Sequence, residues 1–154
     1  MESLLTDFFI EAHPTPPKRI ILDFDATHDP IHGAQLGRFF QGYYKEYCYL
    51  PLYVFCGEHL LCAQLRPADQ DGAAGSIAKL AGLVERIRRV WPDVQIILRD
   101  DMENRIQEQQ LMLFADRTSA EDMRANQIRL YMSSMAYVLM SAFSRNRLPV
   151  TPPH

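Results

Sequence analysis

Positive charge is scarce in this chain: 16 Lys and Arg face 19 Asp and Glu, for a formal net charge of −3. That balance excludes a whole-surface attraction to nucleic acid, so any such binding needs a local basic surface or metal ions that offset the acids. Cysteine is scarce too. Cys48, Cys56 and Cys62 are an odd number without C-x-x-C spacing, which excludes a disulfide framework and a four-ligand zinc site. They are expected to be buried thiols in a reducing cytoplasm. Long apolar runs are also missing. The most apolar stretch, Leu130 to Phe143, is too short and too rich in serine to span a bilayer. The first residues have neither a charged region nor a long apolar core, so no signal peptide is expected and the protein is placed in the cytoplasm. No internal repeat is visible.

What is present suits a single folded domain. The 154 residues are 47% hydrophobic and 23% charged, enough for one real core. Residues 1–12 predict a short helix, stopped by Pro14, Pro16 and Pro17, which forbid helix and extend the chain. Arg19 to Thr27 predicts a buried strand ending in polar residues, followed by a loop with His28, His32 and Gly33. Tyr47 to Cys56 and His59 to Arg66 predict two antiparallel strands joined at Gly57-Glu58. Residues 77, 80, 83, 84, 87 and 90 give Ala73 to Val90 a helical stripe, with Arg86, Arg88 and Arg89 off it. Trp91-Pro92-Asp93 ends that helix, and Val94 to Arg99 predicts a short buried strand. Met102 to Phe114 and Asn126 to Phe143 predict two further helices. This order of strands and helices points to an α/β or mixed-sheet domain.

Two groups of acids stand where strands end. Asp23 and Asp25 are two apart at the end of the first strand, so alternation sends both carboxylates to one face. Such a pair is unfavourable unless a cation, a proton or solvent relieves it; a hard ion such as Mg²⁺ suits it, and simple solvation at a loop start is the alternative. Asp100, Asp101 and Glu103 follow the Val94 to Arg99 strand. If the two strands are neighbours, all these acids gather in one place, the grouping that two-metal phosphoryl chemistry requires. Helix capping is the other reading for Asp101 and Glu103.

Specific motifs bear on that choice. Asp23-Phe-Asp-Ala-Thr-His-Asp-Pro-Ile-His-Gly-Ala-Gln-Leu-Gly-Arg-Phe-Phe-Gln-Gly-Tyr-Tyr and Tyr47-Cys-Tyr-Leu-Pro-Leu-Tyr-Val-Phe-Cys-Gly resemble the first catalytic block of bacterial insertion-sequence DDE transposases. Met102-Glu-Asn-Arg-Ile-Gln-Glu-Gln-Gln, Phe114-Ala-Asp-Arg-Thr-Ser and Met123-Arg-Ala-Asn-Gln resemble their last block. The resemblance covers nearly all of residues 19–145. It implies a ribonuclease H-like α/β fold, a mixed sheet of about four strands with helices packed on it. It also implies transposition of DNA by metal-dependent phosphoryl transfer, with cutting at transposon ends and joining to target DNA. The acids it implies are Asp25, with Asp23 as a secondary neighbour, then Asp101 or Asp100, then Glu103, holding two Mg²⁺ or Mn²⁺ ions.

The chain departs from the family in one respect. Leu98-Arg-Asp-Asp-Met-Glu103 joins the two blocks directly, where the family carries a fifth strand, a helix and usually an inserted β-rich domain. An internal deletion is therefore expected, with an exposed sheet edge and impaired or lost catalysis. A DNA-binding domain ahead of the catalytic one is expected to be absent or reduced to a few residues. The expected organisation is a lead-in and proline-rich linker over 1–18, a truncated catalytic domain over 19–146 and a flexible tail over 147–154. Candidate DNA contacts are Arg38, Lys45 and Arg105. The aromatic block from Phe39 to Phe55 either stacks on unpaired bases or forms core and hairpin surface; it is read here as core. The methionines between Met132 and Met140 are read as a packing face, with self-association or pairing with a full-length transposase as the partner-based alternative.

Overall fold

The computed structural model describes residues 2–26, 28–31, 35–36, 38–42, 45–69, 75–100 and 122–145. In chain order the elements are α1 (Glu2–Glu11), β1 (Arg19–Ala26), β2 (Asp29–Pro30), β3 (Phe39–Gln41) and β4 (Glu46–Tyr49). They continue with β5 (Leu52–Cys56), β6 (His59–Gln64), α2 (Ser76–Val90), β7 (Gln95–Asp100) and α3 (Met123–Arg145). A four-stranded sheet has the order β6-β5-β1-β7. Within it β1 pairs antiparallel with β5 and parallel with β7, and β5 pairs antiparallel with β6. A second sheet has the order β2-β4-β3. The larger, mixed sheet with helices packed on it agrees with a ribonuclease H-like architecture.

The core follows from strand alternation. Along β5, Tyr53 and Phe55 join Leu60, Leu130 and Tyr137 in a cluster on the α3 side. Val54 and Cys56 join Leu22, Leu80, Leu83 and Ile87 on the α2 side. Successive β5 side chains thus serve opposite faces, which is why this strand is apolar throughout and buried at every position. In α2 the buried Leu80, Leu83 and Ile87 recur at helical spacing. The lead-in helix α1 contributes to both clusters, through Leu5 and Phe9. Arg86 of α2 holds Asp7 of α1 through a two-pronged ion pair at 2.7 and 2.8 Å.

The hairpin at Gly57-Glu58 forms as expected, with Gly57 at a φ of +57°, a backbone geometry that glycine adopts without strain. The expected strand Tyr47 to Cys56 is in fact two. Pro51 lacks a backbone donor, and the chain bends there, sending β4 into the small sheet and β5 into the large one. The bend is held by Arg66, which is buried. Leu50 N donates to Arg66 O at 2.8 Å, and Arg66 Nε donates back to Leu50 O at 3.0 Å. α3 begins three residues earlier than expected, because Asp122 Oδ1 accepts from Arg124 N at 3.0 Å and caps the first turn. The expected helix over Met102 to Phe114 and the tail beyond residue 146 lie outside the described residues.

The two outer strands of the large sheet differ in their cover. α3 lies along β6: Gln127 Oε1 accepts from Leu65 N at 2.6 Å, and Gln127 Nε2 donates to Ala63 O at 3.2 Å. A side-chain amide there does the work of a neighbouring strand. Among the described residues β7 is the other outer strand, and Ile97 and Leu98 on it are 36% and 51% exposed.

Candidate functional site: the carboxyl end of the parallel strand pair

β1 and β7 run side by side in the same direction, with Asp23 opposite Arg99 and Phe24 opposite Asp100. Their carboxyl ends therefore share one edge of the sheet. Asp25 follows on β1, opposite Tyr53 of β5. The condition set by the sequence, that the two acid-tipped strands be neighbours, is met. Of Asp25 and Asp100 only the backbone is described; Asp101, Glu103 and Arg105 lie outside the described residues.

Asp23 is the acid whose surroundings are defined in full. It is buried, and both of its oxygens accept from Arg99: Nε to Oδ1 at 2.6 Å and Nη2 to Oδ2 at 3.0 Å. A planar guanidinium matches a carboxylate in this forked way, and the arrangement fixes orientation as well as charge. Any metal contact by Asp23 would compete with that pairing. The sequence reading passed over Arg99. Only the register of a parallel pair, in which residue 23 meets residue 99, brings them together.

Among the described residues, no group of three or more His, Cys, Asp or Glu is gathered closely enough to hold a metal ion. His28 pairs with Glu46, Nε2 to Oε1 at 3.2 Å, in keeping with a loop role; His32 lies outside the described residues. Asp29, a further buried acid, sits on β2 opposite Tyr49. A cavity of about 770 Å³ between α1, β6 and α2 is lined by Arg66, Lys79 and Arg86 and, among the described residues, by no carboxylate. Its charge is wrong for a divalent cation, so the acidic edge and this cavity are separate features.

The three cysteines are free and buried. Burial pushes the Cys48 thiol up to about 11, with Glu46 and Asp29 adding to the effect. Burial also pushes Cys56 up to about 11, partly opposed by a hydrogen bond from the Ile21 backbone. Neither is ionised at neutral pH, as suits packing rather than chemistry. Among the described residues no helix is long and apolar enough to cross a membrane.

Of the candidate DNA contacts, Arg38 places its guanidinium carbon 4.9 Å from the centre of the Tyr47 ring. Lys45 is exposed in the turn between β3 and β4, at a φ of +57°. The aromatic block is divided. Tyr49, Tyr53 and Phe55 are fully buried, as expected of core, while Phe39, Phe40 and Tyr47 are 41%, 56% and 49% exposed.

Comparison with curated proteins and with solved structures gives no match. A family model described as Transposase DDE domain group 1 matches the chain in two stretches, residues 1–102 and 99–153. Together they cover almost the whole sequence, and they meet where β7 runs into Asp101-Met-Glu103, as an internally truncated member would show. With its two acid-tipped strands side by side and its sequence matched over almost its whole length, the chain belongs to the DDE transposase family.

Proposed function

We propose that this chain engages transposon-end DNA at the shared edge of β1 and β7, with cutting and joining impaired by the junction at residues 98–103. Asp25, Asp101 (with Asp100 as the alternative) and Glu103 are the proposed metal-holding acids. The observation that carries the reading is the Phe24–Asp100 register. It sets Asp25, the residue after Phe24, and Asp100 at the same end of the sheet, and Asp101 is the next residue in the sequence. The donor set is all carboxylate oxygen, as Mg²⁺ or Mn²⁺ prefers. Arg99 already balances the charge of Asp23, so the acids beyond it are the ones that call for a cation. Bound there, a pair of such ions would supply the charge that activates an attacking hydroxyl and steadies the departing oxygen.

The chain's own residues set the limit on that chemistry. Glu103 follows the last residue of β7 by three positions, where the family places a fifth strand, a helix and an insertion. Its approach to Asp25 is thus dictated by a very short connection, and a displacement of about 1 Å costs on the order of a hundredfold in rate. Cytoplasmic placement belongs to the same proposal. The test is calorimetric titration of MgCl₂ and MnCl₂ into the protein and its Asp25→Ala variant, followed by a nicking assay on transposon-end DNA. Binding at millimolar metal that disappears in the variant supports the reading. Equal heats in both proteins would remove it.

A second reading is favoured by α3. Asn126, Leu130, Ser134 and Tyr137 are buried against the sheet, while Ile128, Met132 and Leu139 stand exposed on the opposite side of the helix. An apolar stripe left in water suits a non-catalytic remnant that pairs with itself or with an intact transposase. Co-purification with an intact transposase that is abolished by Met132→Lys, without loss of folding, would support this second role.

A further inference from the structure

We infer that the small sheet β2-β4-β3 is a stacking surface for unpaired nucleobases, with Phe40 and Tyr47 as its rings and Arg38 and Lys45 as its phosphate-facing cations. The inference rests on the reading that the chain engages DNA, and it specifies the form of DNA engaged. Phe40 and Tyr47 are partners across the β3–β4 ladder, so both rings project from one face. Their centroids are 5.6 Å apart in an edge-to-face arrangement, and each is about half exposed. The fold does not consume these rings. The neighbouring Cys48 and Tyr49 are buried and anchor the strand instead, with Tyr49 Oη donating to Leu36 O at 2.6 Å and Ile31 N donating to Tyr47 O at 3.0 Å. The result is an aromatic pair held on a fixed backbone.

Position and charge select the ligand. β2 begins three residues after β1 ends, and β4 passes through Leu50-Pro51 into β5, whose Leu52 pairs with Ala26. The small sheet therefore extends from the same carboxyl end of β1 that carries Asp25. In a chain of net charge −3, Arg38 lies against the Tyr47 ring and Lys45 closes the turn between the two ring-bearing strands. The carboxylate on the same strand, Glu46, is engaged by His28. Aromatic rings combined with cations match single-stranded nucleic acid, in which base faces and phosphates alternate. In a duplex the base faces are already stacked on one another, so rings on an open surface gain little from it. The geometry thus selects DNA with frayed or unpaired bases, as at a cut end.

The test uses the full chain with EDTA present, so that metal binding plays no part. Fluorescence anisotropy is read with a dye-labelled dT12 strand and with a 12-base-pair duplex. The expected result is tighter binding of dT12 than of the duplex. Phe40→Leu and Tyr47→Leu should each weaken dT12 binding roughly tenfold, within the range known for base stacking on aromatics. Tyr47→Trp should retain it. Arg38→Ala should flatten the salt dependence by roughly 0.7 in log–log slope. Circular dichroism melts check that each variant folds, and both ring positions are exposed enough to tolerate leucine. Equal affinity for duplex and dT12, or dT12 binding unchanged in a folded Tyr47→Leu variant, overturns the inference. So does a protein that ignores dT12 but loses self-association in that variant, which would make the face a protein interface. Because metal is chelated throughout, failure here and failure of the metal-edge reading are scored separately.

Discussion

Arg99 on β7 closes a forked ion pair on Asp23 of β1, across the parallel β1–β7 pairing of the large sheet. The acid is almost wholly buried while the arginine is about half exposed, so the two partners are not equivalent. Removing the guanidinium strands a charge inside the protein, whereas removing the carboxylate leaves a cation that water can reach. Arg99→Ala is expected to lower stability by about 1–3 kcal/mol, below the cost of breaking a fully buried pair because solvent already reaches the arginine. The double variant Arg99→Ala with Asp23→Asn should recover part of the loss. Urea unfolding of the two single variants and the double variant measures this, and a double variant no better than Arg99→Ala would refute it.

Gln127 is expected to matter more than an ordinary helix-surface glutamine. Its amide satisfies Leu65 N and Ala63 O along β6. Gln127→Leu keeps the bulk but leaves both backbone groups without that partner, at a cost of about 1–3 kcal/mol. Hydrogen exchange should show faster exchange at Leu65 in the variant. Unchanged protection there would mean that the amide does not guard the edge.

Thiol chemistry gives a pH prediction. Burial raises Cys48 and Cys56 from an ordinary 9.0 to about 11 in the folded chain. The unfolded chain releases these protons first, so the stability they contribute is complete below pH 9 and falls as pH climbs from 9 through 11. Thermal melts across that window should show a falling midpoint, with a shallower fall in Cys56→Ala. At pH 8 a thiol reagent should label the native protein slowly and the denatured protein at once. Fast labelling of native protein would contradict the buried placement.

The β7 edge should govern association. Ile97 and Leu98 are exposed on the strand that is outermost among the described residues, a surface suited to pairing with another chain. Leu98→Lys is expected to reduce concentration-dependent light scattering while shifting stability by less than about 0.5 kcal/mol. Equal scattering by both proteins would place the sticky surface elsewhere, with the α3 stripe next to be examined.

Much of this fold is legible in the sequence because its strong signals are local. The apolar runs at Ile20 to Leu22 and Ile96 to Leu98 announce β1 and β7, Gly57 marks its hairpin, and the spacing of Leu80, Leu83 and Ile87 marks α2. Other features depend on partners far along the chain. Tyr47 to Cys56 reads as one strand until Pro51 bends it, and strands as short as β2 and β3 carry no periodicity to detect. The polar Asn126 and Ser134 are buried on α3; Asn126 Nδ2 donates to Gln35 Oε1 at 3.1 Å, a contact 91 positions apart in the chain. At the candidate site the strand ends could be read, but the claim of Arg99 on Asp23 could not. The aromatic block defeats a single label, since alternation and the break at Pro51 divide it between core and surface.

The parallel pairing has a kinetic side. β6, β5 and β1 are linked by antiparallel ladders and can zip up from the hairpin outward, but residue 99 must travel back across 76 positions to meet residue 23. Long-range parallel contacts are slow to form because the loop must close before any contact rewards it. During synthesis, then, the β1–β7 pairing that forms the acidic rim follows the antiparallel ladders. Until β7 docks, β1 presents an unpaired backbone and an uncompensated Asp23, which makes that interval the one most open to mispairing.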